Sequence, residues 1–167
     1  MFEIFYPDTC ADNAYEIDYE GYYAAGYRGI IFDIDNTLVE HDAPATEAAV
    51  ALFERLRSVG FQMLTLSNNT ERRVKMFCDA VSCPYLYKAG KPKKDGYFKA
   101  MQLMGTDVGT TLFIGDQLFT DVWGANRAGI KTILVTPISK KERFQIVLKR
   151  IPERWILFFY HKRSRKP

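Results

Sequence analysis

A chain of 167 residues, 47% hydrophobic and 26% charged, suits one domain and leaves two cramped. A domain of this size buries roughly 70% of its unfolded surface, so it folds without a disulfide or metal staple, and its near-average composition excludes a disordered, collagen-like or low-complexity chain. The formal charge of +3 hides a gradient: residues 1–60 hold 12 acids and three bases, residues 61–139 six and ten, and residues 140–167 two and ten. An acidic head and a basic tail point to a cation or an anionic partner at one end.

Cys10, Cys78 and Cys83 make an odd count without metal-ligand spacing, as expected of reduced thiols in a cytoplasmic protein. No basic segment followed by an apolar one opens the chain, so no secretory signal is expected. The longest apolar run near the end, Trp155–Tyr160, is six residues. A spanning helix needs about 20, so no transmembrane segment is expected.

Residues 1–28 are tyrosine-rich and irregular, and are expected to form an extension packed on the domain that follows. From residue 29, short apolar runs alternate with amphipathic stretches. Strands are expected over Gly29–Phe32, Phe61–Leu66, Pro84–Tyr87, Thr111–Ile114 and Thr132–Val135, each apolar on both alternating positions, as in a parallel sheet covered on both faces. Between them, Thr46–Val59 carries Ala49, Leu52, Phe53 and Leu56 at helical spacing, with Thr46 as N-cap and Gly60 as stop. Thr70–Val81, Asp95–Met104 and Phe119–Ala128 follow the same pattern, the last two ending at Gly105 and Gly129. A final helix from about Ser139 places Phe144, Val147, Leu148 and Ile151 on one side until Pro152 interrupts it. This alternation predicts an α/β fold, a doubly wound, mainly parallel five-stranded sheet flanked by helices, with right-handed crossovers.

Ligands in such sheets bind outside the carboxyl ends of the strands, and the unusual polar residues fall there. The first expected strand runs into Asp33-Ile34-Asp35-Asn36-Thr37, the second into Ser67-Asn68-Asn69-Thr70, and the fourth into Gly115-Asp116-Gln117-Leu118-Phe119-Thr120-Asp121. A basic turn with Lys91, Lys93 and Lys94 follows the third. Asp33 and Asp116 on neighbouring strands repel unless a cation lies between them, and hard carboxylate oxygens suit Mg²⁺. A cation, a lysine, Ser67 and backbone N–H groups together cradle phosphate. One carboxylate facing that phosphate serves as nucleophile, and a second one two residues later as its proton shuttle. Taken singly, each piece has a plain structural reading as a turn, a helix cap or a solvated loop. Their joint occurrence at successive strand ends favours catalysis.

Asp33-x-Asp35-x-Thr37, Ser67, Lys91 and Gly115-Asp116-x4-Asp121 resemble the four motifs of haloacid dehalogenase-like (HAD) phosphatases, over about residues 29 to 136. The wider runs resemble the YqeG-type subgroup (subfamily III A), which is similar to mitochondrial phosphatidylglycerophosphate phosphatases. A phosphatase domain is expected over 29–151 without a substantial cap, followed by a basic, aromatic tail over 152–167. The resemblance implies Asp33 as nucleophile, Asp35 as acid and base, and Lys91, Thr37, Ser67 and Asn68 around the phosphate, with Lys93 and Lys94 as alternatives for the lysine. Mg²⁺ would be held by Asp33, the backbone carbonyl of Asp35, and Asp116, with Asp121 tuning the metal waters or the lysine.

The stretch from Leu38 to Thr46 is too short for a helical lid. The 23 residues between Ser67 and Lys91 are consumed by one helix and one short strand. An open site suits a phosphate displayed on something large. The tail mixes Arg and Lys with Phe144, Trp155, Ile156, Leu157, Phe158 and Phe159. That mixture suits peripheral contact of 152–166 with an anionic membrane, at its inner face. Aromatics in one contiguous run do not suit nucleic-acid stacking. The leading expectation is a Mg²⁺-dependent phosphomonoesterase acting on phosphatidylglycerophosphate in phospholipid synthesis. The alternatives are a phosphatase for protein or nucleic-acid phosphates, and a non-catalytic Mg²⁺- and phosphate-binding partner module, which the presence of Asp33 disfavours.

Overall fold

Ile30 and Phe32 point to one side of their strand and Ile31 to the other, and all three are fully buried. A strand hidden on both faces must sit mid-sheet, and it does. The computed structural model describes residues 2–139, 152–160 and 162. Its strands are β1 (Thr9–Ala11), β2 (Gly29–Phe32), β3 (Gln62–Leu66), β4 (Tyr85–Leu86), β5 (Thr111–Gly115) and β6 (Lys131–Val135). They pair in parallel in the order β1-β6-β5-β2-β3-β4. The chain runs outward from β2 through β3 to β4, then returns to β5 on the other side. The switch point therefore falls between β2 and β5, where ligands bind in open sheets.

The helices are α1 (Tyr19–Ala24), α2 (Glu47–Val59), α3 (Glu71–Val81), α4 (Asp95–Met104) and α5 (Trp123–Ala128). On one face, Phe53, Leu56, Phe77 and Tyr19 cover Ile30 and Phe32; on the other, Tyr97, Met101 and Ala125 cover Ile31 and Phe113. Thr46 caps α2 by accepting from the Ala49 amide at 3.1 Å. Gly60 ends it at φ 113°, a left-handed conformation that glycine adopts without strain.

The sheet has six strands where the sequence predicts five. The addition is β1, an edge strand of three residues, none of them buried, with no apolar alternation to reveal it. Pairing with β6 holds it, assisted by the Asp8 carboxylate, which accepts from the Thr132 amide at 2.8 Å. The helix expected over Phe119–Ala128 divides into a π-helical turn, Leu118–Val122, followed by α5. The final helix expected to run to Ile151 lies, beyond Ser139, outside the described residues. Residues 152–160 are helical. Among the described residues, no helix is long and apolar enough to cross a membrane, and none inserts between β3 and Lys91 except α3.

Candidate active site

Strand pairing brings the carboxylates together. The Asp33 amide bonds to the Ile114 carbonyl at 2.9 Å, which sets the first residue after β2 beside the end of β5, where Asp116 follows. One carboxylate oxygen each of Asp33, Asp116 and Asp121 lies within 4.8 Å of the others, and all three residues are buried. Gly115 permits this approach, because a Cβ there would sit 2.5 Å from Asp121 Oδ2. The Thr37 hydroxyl stands between two of these groups, donating toward Asp116 Oδ1 at 3.2 Å and Asp33 Oδ2 at 3.4 Å.

Of the three loop lysines, Lys91 enters the crevice, while Lys93 and Lys94 are exposed. Its Nζ lies 2.7 Å from Asp33 Oδ1 and 2.7 Å from Asp121 Oδ1. Asn68 pins this loop from β3: the Lys91 amide donates to Asn68 Oδ1 at 2.8 Å, and Asn68 Nδ2 donates to the Lys91 carbonyl at 3.1 Å. Ser67 is buried and accepts the Asn69 amide at 3.1 Å. The second oxygen of Asp121 accepts the Gln117 amide at 3.1 Å, and the Tyr97 hydroxyl fixes the same loop by donating to the Thr120 carbonyl at 2.9 Å.

Burial governs the electrostatics here. It pushes the Asp33 carboxyl up to about 7, with Asp121 and Asp35 adding to the effect and Lys91 opposing it. Burial alone would lower Lys91, but Asp121 and Asp33 outweigh it and hold the ammonium charged. Among the described residues the Lys91 ammonium pairs with two of these three buried carboxylates, and their crowding suits a cation.

Asp35 lies in a different environment. It accepts from Asn69 Nδ2 at 3.1 Å, from the Asp42 amide at 3.0 Å, and from Arg73 Nε and Nη2 at 3.1 and 2.8 Å. Burial works against its charge, but the bonds from Asn69, Asp42 and Arg73 outweigh that and hold the carboxyl below its usual range. The sequence reading missed Arg73. Its signal was an arginine on the face of α3 that also buries Val74 and Phe77.

These groups line a polar crevice of about 260 Å³. Asp33, Asp35, Ser67, Asn68 and Lys91 come together there as the sequence places them, and His41, Asn69, Gln117 and Thr120 complete the walls. Of the remaining predicted residues, Thr37, Asp116 and Asp121 lie behind, among the buried carboxylates.

The chain has relatives among proteins named as phosphatases. A sequence-family profile described as HAD-hydrolase-like matches residues 88–144. "Probable phosphatase YqeG" of Bacillus subtilis (strain 168) is 40% identical over 156 residues, covering 93% of this chain and 91% of that protein. "Phosphatidylglycerophosphate phosphatase 1, chloroplastic" of Chlamydomonas reinhardtii is 28% identical over 162 residues, covering 90% of this chain and 60% of that protein. The crystal structure of a HAD phosphatase from Thermococcus onnurineus superposes with a TM-score of 0.53 at 15% identity, covering 70% of this chain and 88% of that one, and shares the fold. The chain belongs to the HAD-like phosphatases, and within them to the YqeG-type group.

Proposed function

We propose that this phosphatase hydrolyses phosphate monoesters with Mg²⁺ through an aspartyl-phosphate on Asp33, and that its substrate is phosphatidylglycerophosphate displayed on an anionic membrane. The observation that carries the reaction is the buried Lys91 ammonium, 2.7 Å from both Asp33 and Asp121 in an open polar crevice. Asp33 attacks phosphorus, forming the Oδ–P bond as the bond to the leaving alkoxide breaks. Asp35 gives that alkoxide its proton and then takes one from the water that cleaves the acyl phosphate. Lys91 and the Ser67 hydroxyl stabilise the phosphoryl oxygens. Held as it is by Arg73, Asp35 is set as a base, so its first task requires taking up a proton from solvent and exchanging Arg73 for the leaving oxygen.

The donor set fits Mg²⁺: one hard oxygen each of Asp33, Asp116 and Asp121 lies within 4.8 Å of the others, and the Asp35 carbonyl would serve as the backbone ligand. When bound, the ion neutralises charge that otherwise keeps a carboxylate anion from a phosphate dianion.

Three observations support the lipid. A crevice of about 260 Å³ without a cap among the described residues takes a phosphate and few further atoms, leaving a large substrate outside. On the 152–160 helix Trp155, Phe158 and Phe159 are 65%, 59% and 46% exposed, beside exposed Arg154 and Lys162. Each basic residue near an anionic surface contributes about 1 kcal/mol. Finally, a curated relative bears phosphatidylglycerophosphate in its name.

Phosphate release should be compared across phosphatidylglycerophosphate in mixed micelles, glycerol phosphate, phosphopeptides and 3′-phosphorylated oligonucleotides, with Mg²⁺ and with chelator. The lipid is expected to exceed the others by about tenfold or more in kcat/KM, the difference worth about 1.4 kcal/mol, with all turnover lost on chelation. A lipid no better than glycerol phosphate would refute the substrate, and full activity in chelator would refute the metal. Replacing Trp155, Phe158 and Phe159 together by alanine should weaken binding to anionic vesicles by at least about tenfold, given about 1.5–3 kcal/mol for each fully buried aromatic, with an unchanged Tm. Unchanged vesicle affinity would place the membrane contact elsewhere.

A further inference from the structure

We infer that Glu153 is a positioning residue for the loop Gln117–Asp121, so that the helix bearing the exposed aromatics is a working part of the crevice; this rests on the proposed use of that crevice. The first amides of any helical turn lack a partner within the turn, and a buried N–H left unpaired costs about 1–3 kcal/mol. In the π-helical turn after β5 the first such amide belongs to Leu118, which is buried. Glu153 Oε1 accepts it at 3.0 Å across 35 positions of sequence, and Glu153 is itself only 3% exposed.

The residues around Leu118 are those the site uses. Gln117 and Thr120 line the crevice, the Gln117 amide bonds Asp121 Oδ2, and Asp121 Oδ1 bonds Lys91. A shift at Leu118 therefore reaches Lys91 through two hydrogen bonds and Asp33 through a third.

The helix is held in place by more than one contact. Ile156, three residues on, is buried against Leu118, Val122 and Leu134. Tyr160, a further turn along, meets the Tyr6 ring at 5.4 Å. Glu153, Ile156 and Tyr160 thus share one helix face, while Trp155, Phe158 and Phe159 are exposed. From the other side Phe5 packs on Phe119 and Trp123, each at 5.3 Å, so the loop is braced by both ends of the chain. Residues 140–167 carry ten bases and two acids; one of those two acids is the residue aimed at the loop.

The test uses full-length Glu153→Ala and Glu153→Gln, a soluble aryl phosphate with Mg²⁺, and backbone hydrogen exchange. Glu153→Ala should lower kcat by about ten- to a hundredfold, the effect of one unpaired buried donor, with KM little changed and a higher Mg²⁺ requirement. Amides of Leu118–Val122 should exchange faster while those of Gly29–Phe32 keep their protection. Glu153→Gln retains a carbonyl acceptor and should restore most of both. Wild-type kcat and exchange in Glu153→Ala would overturn the inference. So would equal damage in both variants with a uniform rise in exchange, the mark of simple destabilisation. If the wild type turns over no ester, the phosphatase reading fails, and exchange at Leu118–Val122 alone then decides the role of Glu153.

Discussion

Asp33→Asn should abolish phosphate release, by at least about 10⁴-fold, in a protein that still folds. Asparagine keeps the shape of the side chain but cannot form the acyl phosphate. The fold survives because Lys91 keeps Asp121 as a partner, so no buried ammonium is orphaned. Stability should even rise at neutral pH, since burial pushes the Asp33 carboxyl up to about 7 and its charge in the fold is costly. That cost is absent below pH 3.8, grows as the carboxyl ionises, and is complete above about 7. The stabilisation from Asn is therefore expected at pH 8 and not at pH 4, read from Tm in chelator. Retention of more than about 1% of activity would mean that another group attacks phosphorus.

Lys91→Met should be harmful twice over. Removing this ammonium leaves Asp33 and Asp121 as buried carboxylates without their 2.7 Å partner. Breaking a buried pair from one side costs about 3–5 kcal/mol, and losing a phosphate-oxygen donor costs about 10²–10³ in kcat. The stability loss has a pH sign: the Asp33 carboxyl, pushed up in the fold, binds a proton more readily there than when unfolded, so acidification should recover part of the deficit. Added Mg²⁺ should recover part of it at pH 8. Lys93→Met and Lys94→Met change exposed side chains and should do neither. A Lys91→Met protein with wild-type Tm and kcat would remove the lysine from the account.

Five of the six strands were legible because each is a short apolar run, four of them largely buried on both faces and β4 half-buried at the edge. β1 was not, since Thr9, Cys10 and Ala11 gain their conformation from the edge of β6 rather than from their own apolarity. The meeting of Asp33, Ser67, Lys91, Asp116 and Asp121 was legible for a related reason: parallel pairing carries successive strand ends to one crevice. Choosing Lys91 among three loop lysines needed the two Asn68 hydrogen bonds that fix the loop. Arg73 and Glu153 lay beyond sequence reasoning because their contacts are tertiary, among them those to Asp35 and to the Leu118 amide. Both nonetheless left a trace, a charge where its surroundings ask for another residue.

The structure gives the tail contacts that its composition does not announce. As sequence it is a basic, aromatic segment suited to a membrane. In the fold, Glu153 and Ile156 fasten it to the loop carrying Asp121, while its aromatics remain outside.

The central claim is covalent chemistry at Asp33, and borohydride trapping tests it most directly. The enzyme is mixed with phosphate ester and Mg²⁺, quenched during turnover, reduced and mapped by peptide mass spectrometry. Reduction of an aspartyl-phosphate at position 33 converts that residue to homoserine, and the account predicts homoserine there and nowhere else, absent without ester. Continued turnover with unmodified Asp33, or homoserine at Asp35 or Asp116, would contradict it.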